Sequence, residues 1–275
     1  MLLAEEGTKM TITIGDMIAA MTLPDRDART STSDILIAGD PNTLVRAAAV
    51  SFSASIGAIE QAIATGANLL ITHEGIYYSH HHDPRRFEDD PVIQAKRELI
   101  SRAGLSVYRN HDHWHRVEPD GIMLGLVRSM GWEPSVVRHD PTASFLELPG
   151  ADTLHDIAEL MKRRLGMPAV RVVGDLSQRC RRVGLAVGYR GGGDHAIPLF
   201  EKEKLDLLIV GEGPEWETPE YVKDAAALGR SQSLIVLGHR ESEVPGMRLL
   251  ADWLRAQFPN VPIHYIEEEP LFRYV

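Results

Sequence analysis

The chain of 275 residues contains a single cysteine, Cys180. One thiol excludes an internal disulfide framework and a zinc site built from cysteines, and it fits a reducing compartment. Cys180 stands between Arg179 and Arg181 in a polar turn. It is therefore either a reactive thiol or, as we expect, a residue without a chemical role.

Long apolar runs are also missing. No stretch approaches the roughly 20 consecutive apolar residues that a membrane-spanning helix requires. The first ten residues, MLLAEEGTKM, lack the positive start and the apolar stretch of a secretory signal. We therefore expect a soluble, cytoplasmic protein without a membrane partner.

Basic residues are in the minority. The chain has 29 Lys and Arg against 39 Asp and Glu, which gives a net charge of −10. This balance argues against binding to the phosphate backbone of a nucleic acid. It leaves room for a small phosphorylated substrate, which needs only a local positive site.

Strand-like and helix-like segments alternate along the chain. Examples are the predicted strand ANLLITHEG, the predicted helix DPVIQAKRELISRAG and the predicted strand LSVYRN. Prolines and short β-like pieces interrupt the pattern at 133–150, and a second series follows. The sequence predicts an α/β fold of two packed α/β units with mainly parallel or mixed sheets, at residues 11–133 and 134–275.

Three predicted strands end in side chains that bind metal ions. LLIT is followed by His73 and Glu74, LSVY by the histidine-rich segment NHDHWH, and LIVLG by His239, with Glu243 four residues later at a predicted helix entry. Each histidine alone is more often a capping or solvated group than a ligand. Three strand ends that agree favour a metal site, since functional groups gather beyond the carboxyl ends of such strands.

The segment NHDHWH at 110–115 raises a question of geometry. If it continues the strand, His111, His113 and His115 point to one side, and Asp112 and Trp114 point to the other. The three rings then hold a metal, face solvent or carry a proton relay. Imidazole and carboxylate donors without thiolate suit zinc, manganese, iron or nickel.

Three further segments carry polar clusters. SHHHDPRR, with His80 to His82, is interpreted as a solvated, lid-like loop rather than as a second metal site. GYRGGGDH follows a strand and opens a helix, so its amides either cradle an anion or form a tight turn. In GEGPEWE, Glu212 either supports a metal ligand from behind or caps a helix.

The order of these motifs resembles the NGG-one-interacting factor three family. Its bacterial members are described as dinuclear-metal-centre hexameric proteins or as type-two GTP cyclohydrolase I. The similar segments are GDPNTLVRAAAVSFSAS, GANLLITHEG, SVYRNHDHWH, LDLLIVGE and GHRESE. The resemblance extends from about Ser33 to the C-terminus. It implies a ring-shaped homo-hexamer whose metal sites face an inner cavity. We expect the metal site itself to lie in the cleft between the two α/β units.

The resemblance also implies a ligand set. Three of the family's ligands are matched directly, by His73, His239 and Glu243. Glu74 stands where the family has a second histidine, and His115 stands where it has an aspartate, so the count of nitrogen and oxygen donors is unchanged. His111 is the motif's own histidine and the candidate general acid or base. Two residues without a family counterpart are expected to support ligands or relay protons, namely Asp112 and His113.

The predicted function is a metal-dependent hydrolase with one or two divalent ions, acting on a purine nucleotide such as GTP. Two such ions can generate hydroxide at neutral pH and polarise the group that is attacked. The alternative is a metal-binding hexameric scaffold or regulatory protein without catalysis. Catalysis needs an open coordination position and a base, which separates the two hypotheses.

Overall fold

The structure, a computed structural model, describes residues 11–23, 32–80, 87–150 and 152–275. The chain divides into two compact units. Unit 1 contains the described residues of Met1–His113 together with Leu254–Glu268, and unit 2 contains the described residues of Trp114–Trp253 together with Glu269–Val275. Among the described helices, none combines the length and the apolar character that crossing a lipid bilayer requires.

Unit 1 is built on a five-stranded sheet. Its strands are β1 (Ile35–Ala38), β2 (Ala48–Ser51), β3 (Leu69–Thr72), β4 (Ser106–Arg109) and β11 (Ile263–Tyr265), in the order β1-β4-β3-β2-β11. All neighbours pair in parallel except β1, which runs antiparallel to β4 at one edge. The helices that begin and end within this unit are α1 (Ile14–Met21), α2 (Ile56–Ala64) and α3 (Pro91–Ala103).

Helix α3 begins and ends where its sequence predicts. The Asp90 side chain accepts hydrogen bonds from the first amides of α3, and Gly104 ends that helix in the left-handed conformation, with φ 59°. The Ser55 hydroxyl caps α2 in the same way. The buried faces of these helices pack on the parallel strands, with Ile59 and Leu70 in one apolar core.

Unit 2 is built on a six-stranded mixed sheet. Its strands are β5 (Val136–His139), β6 (Ser144–Glu147), β7 (Arg171–Val173), β8 (Arg182–Ala186), β9 (Leu207–Val210) and β10 (Ser233–Val236), in the order β5-β6-β8-β9-β10-β7. The three central strands β8, β9 and β10 are parallel, and the other three pair antiparallel. The helices are α5 (Gly121–Met130), a 3-10 turn (Glu133–Ser135), α6 (Leu154–Leu165), α7 (Gly193–Glu203) and α8 (Thr218–Ala227). The predicted α/β class with mixed sheets is confirmed.

Two of the three points where the chain changes unit lie inside helices. The chain leaves unit 1 after His113, inside α4 (Asp112–Arg116), and returns to it after Trp253, inside α9 (His239–Gln257). Compact units are not the same as independently folding domains. The division into domains at 11–133 and 134–275 therefore stays a prediction.

The prediction that NHDHWH continues a strand is wrong. Strand β4 ends at Arg109, and Asp112–Arg116 form a short helix. The cause is Asp34, whose carboxylate accepts hydrogen bonds from the amides of His111, Asp112 and His113 at 2.6–2.9 Å. A carboxylate that binds consecutive amides favours the start of a helix, so the strict alternation of side chains is lost.

Candidate metal centre

Two neighbouring strands bring three donors of unit 1 together. His73 and Glu74 follow β3 and His111 follows β4 closely, and Thr72 lies opposite Arg109 in the parallel pairing. The His73 and His111 rings stack with their centroids 4.4 Å apart. A ligand atom of His73 also lies within 4.8 Å of one on His111 and of one on Glu74. We call these three side chains the unit 1 donor group.

The ring orientations in this group are fixed through their Nδ1 atoms. Nδ1 of the fully buried His73 lies 3.2 Å from the carbonyl oxygen of Asn110, which can only accept. The ring therefore carries a proton on Nδ1, and Nε2 is the atom that could bind a cation. Nδ1 of His111 lies 2.8 Å from Oδ1 of Asp112, so Asp112 has the supporting position that the sequence suggested.

His113 has a different environment. Its Nδ1 accepts a hydrogen bond from the amide of Leu23 at 3.2 Å, and its Nε2 lies 3.9 Å from Asp34. These contacts hold the first turn of α4 against the residues that follow α1. They give His113 a structural role in unit 1.

Arg109, which the sequence did not single out, contacts two members of the unit 1 donor group, Glu74 and the backbone of His73. Its side chain is 1% exposed and lies 3.6 Å from Oε2 of Glu74. It donates hydrogen bonds to the carbonyl oxygens of His73 and His80 and to Nδ1 of His80. The His80 ring in turn lies edge-on to His111, with centroids 5.1 Å apart. Part of the predicted lid-like loop, His81 and His82, lies outside the described residues.

In unit 2 the donors are arranged around Glu243. The Glu243 side chain is 3% exposed, and its Oε2 lies 3.2 Å from Nε2 of His239, one helical turn earlier on α9. Its Oε1 lies 3.8 Å from Nε2 of His115 on α4. The predicted shared face of His239 and Glu243 is present. We call His115, His239 and Glu243 the unit 2 donor group.

A carboxylate stands behind each histidine of this group. Nδ1 of His239 lies 2.8 Å from Oε1 of Glu212, and Nδ1 of His115 lies 2.9 Å from Oδ2 of Asp120. Carboxylates in this position fix the ring orientation of metal-binding histidines and raise their basicity. Glu212 therefore supports a candidate ligand, which decides between the two roles considered for it. Asp120 was not identified from the sequence.

Asp120 is buried and closely surrounded by donors. Burial acts to raise its pKa, but the hydrogen bond and charge of His115, the charge of Arg190 and the amide of Met123 outweigh it and hold the pKa of Asp120 below its ordinary value. The Arg190 guanidinium lies 3.2 Å from Oδ2 of Asp120. Asp120 is therefore an ionised acceptor at neutral pH.

A glycine makes room for the central carboxylate of unit 2. Gly188 follows β8 with φ +62°, and a Cβ at this position would lie 2.1 Å from Oε1 of Glu243 and 3.4 Å from Nε2 of His239. Its amide donates to the Ser242 hydroxyl at 2.9 Å, and that hydroxyl donates to the carbonyl oxygen of His239. The Gly188 backbone therefore packs directly against the side chains of Glu243 and Ser242.

The remaining polar clusters have structural roles. The Gly193 amide at the start of α7 donates to Oε2 of Glu217 at 2.6 Å, and the Gly191 amide donates to the carbonyl oxygen of Glu212. GYRGGGDH is therefore a tight turn in which the carboxylate of Glu217 binds the first amide of the helix.

Cys180 is buried, and burial together with the nearby Asp206 raises the pKa of its thiol to about 12. A thiol of this kind is protonated at neutral pH and is not a reactive nucleophile.

The described residues contain groups of histidine and glutamate side chains that could hold a metal ion. They offer imidazole nitrogen and carboxylate oxygen, which is the donor set that the sequence predicted for zinc, manganese, iron or nickel. The full ligand set, the number of ions, the location in a cleft and the hexameric ring stay predictions.

Comparison with known proteins supports the resemblance seen in the motifs. A GTP cyclohydrolase 1 type 2 homolog of Clostridium perfringens is 24% identical over 217 residues, which cover 76% of this chain and 78% of the relative. A hypothetical protein of Staphylococcus aureus, SA1388, has the same fold with a TM-score of 0.76 at 18% identity, over 97% of this chain and 100% of that chain.

A Bacillus cereus protein related to NIF3 gives the same TM-score of 0.76 at 14% identity, over 97% of this chain and 100% of that chain. At these identities the solved structures establish the fold alone. The family description Duf34/NIF3 (NGG1p interacting factor 3) matches residues 14–270, nearly the whole chain. This chain therefore belongs to the Duf34/NIF3 family.

Proposed function

We propose that this protein is a metal-dependent hydrolase whose histidine and glutamate donors bind one or two divalent ions. The proposed ligands are His73, Glu74, His115, His239 and Glu243. The observation that carries the proposal is the unit 2 donor group, where a buried glutamate lies within 4 Å of two imidazole Nε2 atoms. Each of these rings has a carboxylate behind its Nδ1, as metal-binding histidines do.

The chemistry of the donors fits a divalent ion of zinc, manganese, iron or nickel. The five proposed ligands are three imidazoles and two carboxylates, and none is a thiolate. When bound, such an ion would activate a water molecule and polarise the group under attack. A buried carboxylate such as Glu243, only 2% exposed as a residue, is costly unless cations or hydrogen-bond donors compensate it.

In this proposal His111 moves the proton. Its side chain is 15% exposed and therefore reachable, and Asp112 holds its Nδ1 at 2.8 Å. With Nδ1 engaged, Nε2 is the atom that would take a proton from the attacking water or return it to the leaving group. The stacked His73 ring and the edge of His80 restrict the His111 ring to this orientation.

The substrate proposed is a purine nucleotide such as GTP. The support is the name of the curated relatives, GTP cyclohydrolase 1 type 2 homologs, of which this chain covers more than two thirds. We also propose the homo-hexamer implied by the resemblance. Light scattering in solution that reports the mass of a single chain would contradict it.

The metal site is tested with His239→Ala and Glu243→Ala. We expect the purified wild type to carry divalent metal, measured by plasma mass spectrometry, and both variants to lose it. The matched control is His155→Ala, which removes an exposed histidine of α6 in the same unit. Metal content in His239→Ala equal to that of the wild type would disprove the site.

Catalysis is tested separately on the metal-loaded protein. We expect hydrolysis of GTP or a related nucleotide, and we expect His111→Gln to lose that activity while it keeps its metal. Metal binding without turnover of any nucleotide, phosphoester or cyclic amide would favour the non-catalytic scaffold and contradict the hydrolase.

A further inference from the structure

His115, Asp120 and Arg190 form a compact arrangement within unit 2. Nδ1 of His115 lies 2.9 Å from Oδ2 of Asp120, and the same oxygen lies 3.2 Å from Nη1 of Arg190. The His115 and Asp120 side chains are 11% and 2% exposed, and that of Arg190 is 21% exposed. Asp120 is thus buried, and Arg190 is the most exposed of the three side chains.

The second oxygen of Asp120 fixes the carboxylate in place. Oδ1 accepts hydrogen bonds from the amides of Ile122 and Met123 at 2.8 and 3.1 Å, and so caps α5. Rotation of the carboxylate would break these bonds at the helix start. Oδ2 is therefore held towards His115 by the backbone of a helix, which positions it more firmly than a free side chain.

This arrangement selects one tautomer of His115. A carboxylate only accepts, so the contact of 2.9 Å is favourable when the ring proton is on Nδ1 and repulsive when Nδ1 carries a lone pair. Nη2 of Arg190 also lies 3.2 Å from Nδ1 and could donate to a lone pair there. The shorter contact with the enclosed carboxylate outweighs it, because Arg190 already donates to Oδ2.

With the proton on Nδ1, Nε2 of His115 carries a lone pair. This atom lies 3.8 Å from Oε1 of Glu243, so two acceptors face each other. Metal bonds of about 2.0–2.2 Å to nitrogen and oxygen are long enough for one ion to bind both atoms at this separation.

We infer that Asp120 and Arg190 are positioning residues that keep the ring proton of His115 on Nδ1 and direct its Nε2 towards Glu243. The inference rests on the proposed function, because it assigns the use of that Nε2 atom to a metal ion. It adds two residues to the site that are not themselves ligands. It also distinguishes the two histidines of the unit 2 donor group by the exposure of their carboxylate partners. The partner of His115, Asp120, is 2% exposed, whereas the partner of His239, Glu212, is 44% exposed.

The test replaces Asp120 by asparagine. In Asp120→Asn the amide oxygen can keep the two bonds at the start of α5, and the NH₂ group then faces Nδ1 of His115. A donor in that place moves the ring proton from Nδ1 to Nε2, the atom needed for the metal. We expect zinc affinity, measured by competition with a chromophoric chelator, to fall about 10–100-fold.

The tautomer is read directly in metal-free protein labelled with ¹⁵N-histidine. Long-range ¹H–¹⁵N spectra distinguish the two tautomers, and His115→Gln identifies the resonance. We expect the Nδ1–H form in the wild type and the Nε2–H form in Asp120→Asn. Arg190→Met should keep the Nδ1–H form and weaken zinc binding less than Asp120→Asn does.

The matched control is Asp90→Asn, since Asp90 caps α3 through the same two bonds and its side chain is exposed. It should change neither the tautomer of His115 nor the zinc affinity. An Nε2–H form in the wild type, an unchanged tautomer in Asp120→Asn, or a changed tautomer with wild-type zinc affinity would each overturn the inference. A wild type that shows the Nδ1–H form and binds no metal would contradict the proposed function instead.

Discussion

The two donor groups contain the same kinds of side chain but are supported in different ways. In unit 1, His73 is fixed by a backbone carbonyl oxygen and His111 by the side chain of the next residue. In unit 2, each histidine is fixed by a carboxylate from elsewhere in the sequence, 5 residues from His115 and 27 residues from His239. The unit 1 group depends on strand ends, and the unit 2 group depends on pairs of side chains.

The carboxylates of the two groups also differ, in their exposure and in their charged neighbours. Glu74 is 23% exposed and lies 3.6 Å from the buried Arg109, a permanent cation. Glu243 is almost fully buried, and the nitrogens described close to its two oxygens belong to histidines. Glu74 thus has a counterion in the fold, whereas the two oxygens of Glu243 face the Nε2 atoms of two candidate ligands. We therefore expect the loss of Arg109 in unit 1 to change mainly stability, and changes around Glu243 in unit 2 to change mainly metal binding.

The largest effect is expected for Gly188→Ala. The new methyl group would lie 2.1 Å from Oε1 of Glu243, and alanine would be forced into a left-handed backbone conformation. The variant should lose its metal completely and should be about 1–3 kcal/mol less stable because of backbone strain. Metal analysis and urea unfolding measure the two effects.

Its control is Gly57→Ala, where an added Cβ has no atom within 4 Å. Gly57 lies in α2, so alanine should stabilise the protein by about 0.5–1 kcal/mol without changing metal content. Full metal content in Gly188→Ala would show that the tight fit around Glu243 is unnecessary for binding.

A smaller effect, on stability, is expected for Arg109→Met in unit 1. The change removes hydrogen bonds to the carbonyl oxygens of His73 and His80 and the ion pair with Glu74. Hydrogen bonds of charged groups contribute about 1.5–3 kcal/mol, so unfolding free energy should fall by at least that amount. Arg138→Met, which removes an exposed arginine of β5, should leave stability nearly unchanged. Equal losses in both variants would contradict a supporting role for Arg109.

The smallest effect is expected for Glu212→Gln. The glutamine oxygen can still accept from Nδ1 of His239, and water reaches this half-exposed position. Zinc affinity should fall about tenfold, at the weaker end of the range for residues behind a ligand, and less than in Asp120→Asn. The same chelator competition measures both variants. A larger loss in Glu212→Gln would reverse the difference proposed between His115 and His239.

The unit 1 donor group was accessible from the sequence because it follows from strand ends. His73, Glu74 and His111 come directly after apolar runs, and parallel pairing places such residues at one edge of a sheet. The pair His239 and Glu243 was accessible for a similar reason, since residues four apart share a helix face. Both arguments use only local spacing.

The supporting residues were not accessible in this way. Asp120 reads as an ordinary helix cap, and Arg190 lies 70 residues further along the chain. Asp34 turns the segment after β4 into a helix through bonds to amides 77–79 residues away. A buried arginine such as Arg109 looks the same in sequence as an exposed one. These features depend on which distant side chains meet, and no spacing rule contains that information.

The return of the chain to unit 1 has a consequence for the order of synthesis. Strand β11 occupies one edge of the five-stranded sheet, and Glu268 accepts hydrogen bonds from the Ser53 amide and from the Ser55 hydroxyl at the start of α2. A ribosome makes β1 to β4 first and makes β11 and Glu268 only after every strand of the unit 2 sheet. The nascent unit 1 therefore has an open sheet edge beside β2 while the whole sheet of unit 2 emerges. We expect unit 2 to complete its sheet before unit 1 does, which leaves the edge of β2 open to pairing with other chains until β11 is made.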